Sequence, residues 1–133
     1  MKKVNCILLI DDNEATNYIH KMVLNRLDCA NEIIAVSSGF DALEYLMGID
    51  TKNNTMPNLI FLDINMPAMN GWEFLEEYDQ LPESQKGGII MVMLTTSLNP
   101  DDEQKAKEIH NIKGYLNKPL NAEKMKELIS KYF

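Results

Sequence analysis

The sequence predicts an α/β domain: a five-stranded parallel sheet of order 2-1-3-4-5, doubly wound, with helices on both faces. Three observations carry that prediction. Short apolar runs recur at regular intervals, and the central ones are apolar throughout, as strands buried on both faces are. Segments with apolar residues three and four apart separate the runs, the period of helices seated on a core. Right-handed crossovers then leave few strand orders, and 2-1-3-4-5 is one that five strands adopt.

The first strand is expected over residues 4–10. The preceding Lys2-Lys3 gives this stretch the outline of a signal peptide, but the apolar run is short and meets Asp11-Asp12 with no small-residue cleavage site. In the first helix, Ala15, Ile19, Met22, Val23 and Leu27 form the expected core stripe. A second strand follows over 32–36, and Ser37-Ser38-Gly39 opens a second helix with Leu43, Leu46 and Met47 inward. Residues 48–57 read as a polar loop, a surface excursion on the face opposite the strand ends discussed below. The third strand, 59–62, is apolar until Asp63, and the third helix buries Phe74, Leu75 and Tyr78. After a fourth strand at 89–94, Asn99-Pro100-Asp101-Asp102 starts the fourth helix with a capping side chain, Pro at the first helical position and acids at the positive end of the dipole. Its stripe is thin, Ala106 and Ile109, so it is expected to be weakly anchored. The fifth strand is expected at 112–116, and the last helix turns Met125, Leu128, Ile129 and Tyr132 inward. The nine methionines read as gap fillers.

The 133 residues suit one domain, 1–133, with a sizeable core and no effector domain after the last helix. A net charge of −7 without a Lys/Arg cluster argues against gripping nucleic acid. No apolar run is long enough for a membrane span. Cys6 and Cys29 lack metal-ligand spacing and read as reduced thiols of a cytoplasmic protein.

In such sheets, ligands bind beyond the carboxyl ends of the strands where the winding direction switches. Asp11 and Asp12 follow the first strand, Asp63 the third, Thr95 and Thr96 the fourth, and Lys118-Pro119 the fifth. Each alone is an ordinary turn, cap or solvated residue; together they bring three carboxylates, a hydroxyl and an ammonium to one edge. Close carboxylates repel by about 1 kcal/mol per pair in water and about 4 kcal/mol at an effective dielectric of 20. A proton or a cation relieves that, and an all-oxygen donor set suits Mg²⁺. The acids would repel an unaided anion. Asp63 is then a candidate nucleophile that accepts a phosphoryl group. The candidate metal set is Asp11, Asp12, Asp63 and the backbone carbonyl of Asn65, with Lys118 against the phosphoryl oxygens.

These residues resemble the receiver domain of two-component response regulators, of the chemotaxis-type single-domain kind. The resemblance runs through Leu9-Ile10-Asp11-Asp12, Leu62-Asp63-Ile64-Asn65-Met66-Pro67-Ala68-Met69-Asn70-Gly71, Met93-Leu94-Thr95-Thr96-Ser97 and Gly114-Tyr115-Leu116-Asn117-Lys118-Pro119. It implies a flavodoxin-like fold, Asp63 as phosphoacceptor, Asp11 and Asp12 as acidic pocket, and Lys118 as phosphoryl contact. It further implies Thr95 and Tyr115 as the switch pair and a cis peptide before Pro119. The expected donor is a histidine kinase or histidine phosphotransfer protein, and the expected output is an as yet unspecified downstream protein or onward phosphoryl transfer. Output would run through the fourth helix, fifth strand and fifth helix. The chain would be a signalling domain that catalyses only its own phosphorylation and dephosphorylation, the latter tuned near Ser97. The stretch before the third strand is longer than the family's usual one. His20 and His110 are placed in helical segments away from the crevice, and Trp72 beside the Asp63 loop. Two rivals remain: a phosphorylation-independent binding module of the same fold, and an Asp-nucleophile phosphatase. The second would carry Asp-x-Asp after its first strand, a pattern this chain lacks.

Overall fold

The computed structural model describes residues 2–133. Strands β1 (Val4–Ile10), β2 (Ala30–Val36), β3 (Leu59–Leu62), β4 (Ile90–Thr95) and β5 (Ile112–Asn117) form one parallel sheet of order β2-β1-β3-β4-β5. Helices α1 (Glu14–Leu27), α2 (Gly39–Thr51), α3 (Gly71–Asp79), α4 (Pro100–Glu108) and α5 (Ala122–Tyr132) alternate with them. A short 3-10 turn, Glu83–Gln85, precedes β4.

Successive strand residues face opposite sides, which is why the central strands are apolar throughout. Ile7, Leu9, Phe61, Val92 and Leu94 meet Leu24 of α1 and Met125, Leu128 and Ile129 of α5. On the other face, Leu8, Ile10, Ile60, Leu62 and Met93 meet Ala42 and Leu46 of α2, Phe74, Leu75 and Tyr78 of α3, and Ala106 of α4. Only Ala106 of α4 is buried, as its thin stripe predicts. Lys105 Nζ lies 4.7 Å from the Trp72 ring centroid, a cation–π contact that ties α4 to the start of α3.

Every helix starts where a strand has just ended. Asn13, Ser38, Asn70, Asn99 and Asn121 cap these starts, each accepting a backbone N–H. Asn70 forms a reciprocal capping box with Glu73. The positive ends of the helix dipoles therefore gather at one edge of the sheet.

Three sequence expectations are corrected. The α1 stripe is misplaced: Asn17, His20 and Leu24 are buried, Ala15 is exposed and Ile19 is 53% exposed. Backbone polar groups at the strand ends lie under this part of α1 and need partners, so polar side chains win there. Second, α2 continues to Thr51 instead of giving way at 48, and its Met47, expected inward, is 46% exposed. Gly48 serves close packing: its carbonyl accepts from Lys52 N at 2.8 Å and from Asn54 N at 3.1 Å, closing the helix end. Third, His110 lies in the turn after α4 and is exposed, whereas His20, far from being remote, sits behind the strand-end crevice. Among the described residues, no helix is long and apolar enough to cross a membrane.

Candidate functional site

Register brings the acids together. Ile10 of β1 pairs with Leu62 of β3, so Asp11 and Asp63 leave the sheet side by side. Asp11 N donates to Val36 O at 3.2 Å and Asp63 N to Ile10 O at 3.0 Å, continuing the ladder into both residues. Oxygens of Asp11, Asp12 and Asp63 lie within 4.8 Å of one another. Asp11 and Asp63 are buried, and Asp12 is exposed.

Lys118 arrives from the far side. Thr95 pairs with Asn117, and Lys118 N donates to Thr95 O at 2.9 Å. Its side chain turns back so that Nζ donates to Asp11 Oδ2 and lies 3.4 Å from Asp63 Oδ2. The other Asp11 oxygen accepts from Asn13 N at 2.9 Å. Burial pushes the Asp63 carboxyl above the usual aspartate range; Lys118 opposes this and Asp11 adds to it. One ammonium among three carboxylates leaves the cluster short of positive charge.

The loop after Asp63 is held against it. Gly71 N donates to Ile64 O at 2.8 Å, Met69 N donates to Pro67 O at 2.7 Å, and Ala68 takes a left-handed φ of 67°. Asn65 stands exposed in this loop, two residues past Asp63. A Cβ on Gly71 would fall 2.6 Å from Asp63 O and 3.0 Å from Ile64 Cα, both backbone atoms that cannot swing away. Gly71→Ala is therefore expected to destabilise the fold by about 2 kcal/mol, the scale of core overpacking, and to weaken metal binding by displacing Asp63. Urea denaturation and a Mg²⁺ titration check this; an alanine variant with unaltered values for both would refute it.

Thr95 is fully buried, and its Oγ1 accepts from Ser97 N at 3.2 Å. Ser97 Oγ donates to Asp102 Oδ2 at 2.6 Å, joining this loop to the first turn of α4. Tyr115 is half-buried, and its hydroxyl is buried without a hydrogen-bond partner among the described residues. The Lys118–Pro119 peptide is cis. Lys124 Nζ donates to Asn117 O at 2.6 Å and to Pro119 O at 3.0 Å, steadying that turn.

Of two residues beside the site, Asn17 escaped the sequence reading and His20 was placed away from it. Asn17 Nδ2 donates to Asp11 O at 2.9 Å and to Val36 O at 3.2 Å. His20 Nε2 accepts from Leu120 N at 3.4 Å. Burial, then Lys118, holds the His20 imidazole below its usual pKa, in keeping with an accepting nitrogen. The available signal was the spacing of Asn17, His20 and Leu24, which share one helical face.

A cavity of about 590 Å³ lies elsewhere, between α1 and α2 along β2, lined by Tyr18, Lys21, Glu44 and Tyr45 among others. The carboxylate cluster is a compact polar site, suited to an ion and a small anion rather than to a large organic ligand.

Fold and site thus define a class: a doubly wound parallel α/β domain with an acidic, cation-seeking pocket at its switch point. A family description for the response regulator receiver domain matches residues 7–130. Response regulator Rcp1 of Synechocystis sp. is 34% identical over 124 residues, covering 92% of this chain and 82% of Rcp1. A two-component response regulator of Cytophaga hutchinsonii, known as a crystal structure, superposes with a TM-score of 0.89 at 32% identity, covering 98% of each chain. The Mn²⁺-bound form of Rcp1 superposes with a TM-score of 0.72 at 32% identity, covering 96% of this chain and 90% of that one. The chain belongs to the response regulator receiver domain family, a signalling domain of two-component systems. Receiver domains bind Mg²⁺ or Mn²⁺ at an acidic pocket and interact with histidine kinases or phosphotransfer proteins and with downstream targets.

Proposed function

We propose that this chain accepts a phosphoryl group on Asp63 from a phosphohistidine of a histidine kinase or histidine phosphotransfer protein. The observation that supports it best is the gathering of three carboxylates within 4.8 Å under one ammonium. The donor set fits Mg²⁺: hard oxygen ligands, with no thiol or imidazole among the clustered groups. Asp11, Asp12 and Asp63 would hold the ion, with the backbone carbonyl of Asn65 as a further donor. When bound, Mg²⁺ supplies positive charge that offsets the phosphoryl oxygens.

The chain's own groups do the rest. A carboxylate oxygen of Asp63 attacks phosphorus, an O–P bond forms, the N–P bond of the donor breaks, and its electron pair stays on the imidazole nitrogen. Lys118, already beside Asp63, meets the charge that builds on the phosphoryl oxygens. Water attack on phosphorus later releases phosphate and regenerates the Asp63 carboxylate. The acyl phosphate also allows transfer to another histidine.

The buried Thr95 hydroxyl reads the new group by hydrogen-bonding a phosphoryl oxygen. Giving up its bond from Ser97 N would loosen the Ser97–Asp102 link to α4. Tyr115, whose hydroxyl has no hydrogen-bond partner among the described residues, is free to follow. The weakly packed α4 with β5 and α5 is then the surface that a downstream protein reads.

The test is incubation with Mg²⁺ and phosphoramidate, followed by intact mass and peptide mapping. One phosphoryl group on Asp63, lost on chelation of Mg²⁺ before mixing, is the expected result. No uptake would overturn the proposal in favour of a phosphorylation-independent binding module, and steady turnover of phosphate esters would favour a phosphatase.

A further inference from the structure

The segment carrying Lys118 is held from three directions. Lys118 N is bonded to Thr95 O of β4, and Lys124 of α5 holds the carbonyls of Asn117 and Pro119. The third restraint crosses from α1, where His20 accepts the Leu120 amide at 3.4 Å across a separation of 100 residues. His20 is 2% exposed and Leu120 is 2% exposed, so neither partner is open to bulk solvent. The same imidazole lines a cavity of about 10 Å³ with Asp11, Asn17 and Phe61, so His20 lies behind the carboxylate that Lys118 contacts as well as behind the turn that carries Lys118.

We propose that His20 is a positioning residue for Lys118: by accepting the Leu120 amide, it sets how far the Lys118 ammonium reaches over Asp63. The imidazole touches neither donor nor phosphoryl group and acts only through the backbone of residues 118–120. An apolar side chain of similar bulk fills the space yet leaves the Leu120 amide unpaired. That turn then shifts towards another acceptor, and Lys118 shifts with it. The carboxylates of Asp11, Asp12 and Asp63 are placed by β1 and β3, so metal binding is largely spared. This inference rests on the role given to Lys118 in the proposed function.

The test compares His20→Met, which keeps bulk without an acceptor, with His20→Gln, whose carbonyl oxygen restores one. Three quantities are read: the rate of Asp63 phosphorylation by phosphoramidate at saturating Mg²⁺, Mg²⁺ affinity from Trp72 fluorescence, and the Lys118 side-chain NMR signals. His20→Met is expected to slow phosphorylation by about tenfold or more, the scale of a small misplacement of a reacting group, with Mg²⁺ affinity nearly unaltered. His20→Gln is expected to recover most of the rate. A methionine variant at the native rate, or a glutamine variant as slow as the methionine one, overturns the inference, because a purely packing role predicts one of those results. If the native protein takes up no phosphoryl group, the proposed function fails separately. The Lys118 signals then decide: displacement in the methionine variant and not in the glutamine variant supports the inference, and equal signals in both overturn it.

Discussion

Lys118→Met is expected to destabilise the protein by about 3 kcal/mol at neutral pH, the range found when one partner is removed from a buried ion pair. The Lys118 side chain is 12% exposed, and the Asp11 and Asp63 side chains beside it are 6% and 7% exposed. Without it, three carboxylates face one another with no resident cation. Protonation caps the loss, because the Asp63 carboxyl already sits above the usual aspartate range and takes up a proton readily. The deficit should therefore shrink as the pH is lowered towards about 4, where aspartates protonate. Millimolar Mg²⁺ should also recover part of it by binding the folded state. Urea denaturation of native and variant protein, at both pH values and with and without Mg²⁺, measures this. A deficit that is the same under all these conditions would mean that Lys118 contributes packing and not charge.

Asp63→Asn should have two effects of opposite value. It removes the nucleophile, so phosphoryl uptake from phosphoramidate should vanish. It should also make the metal-free protein more stable at neutral pH, by about 1 kcal/mol, the size of one screened carboxylate repulsion. The sign follows from the raised carboxyl pKa, caused first by burial. A pKa that is higher folded than unfolded gives stability that is fully present below the unfolded value and is lost as pH rises through the folded value. At neutral pH the buried carboxylate is therefore a net cost, which asparagine avoids. The advantage of Asp63→Asn should fade as pH falls into the aspartate range, where both side chains are neutral. Added Mg²⁺ should stabilise the native protein more than the variant. Thermal melts across pH, with and without Mg²⁺, give the answer; a variant less stable than native at neutral pH without metal would contradict the burial argument.

Strand order and position were legible because β1, β3 and β4 are buried on both faces, which leaves an unbroken apolar signature. The acids were legible because each polar residue directly follows such a run. The outer strands were blurred: β2 begins at Ala30, two residues before its expected start, and β5 ends at Asn117, one residue late. Edge strands carry exposed polar residues, and their limits are set by pairing with a neighbour rather than by local composition. The α1 face was misread for a related reason. Apolar periodicity assumes an apolar surface beneath the helix, whereas this part of α1 covers carbonyl and amide groups of three strand-end loops. Residues 48–57 were read as a polar loop, yet Gly48 is buried within α2, where the close approach of the Asn54 side chain offsets glycine's low helix propensity. The Asp63 loop was legible in its residue types, whereas the close passage of Gly71 by the Asp63 carbonyl was not.

The Asn17–His20 pair has a consequence for how α1 docks. A helix resting on leucines alone can roll or slip by a fraction of a turn and exchange one greasy contact for another. Here the hydrogen bonds to Asp11, Val36 and Leu120 are met in a single rotational setting, so any roll strands several of them at once. The helix is keyed like a toothed shaft, and the strand tips beneath it inherit that fixed alignment.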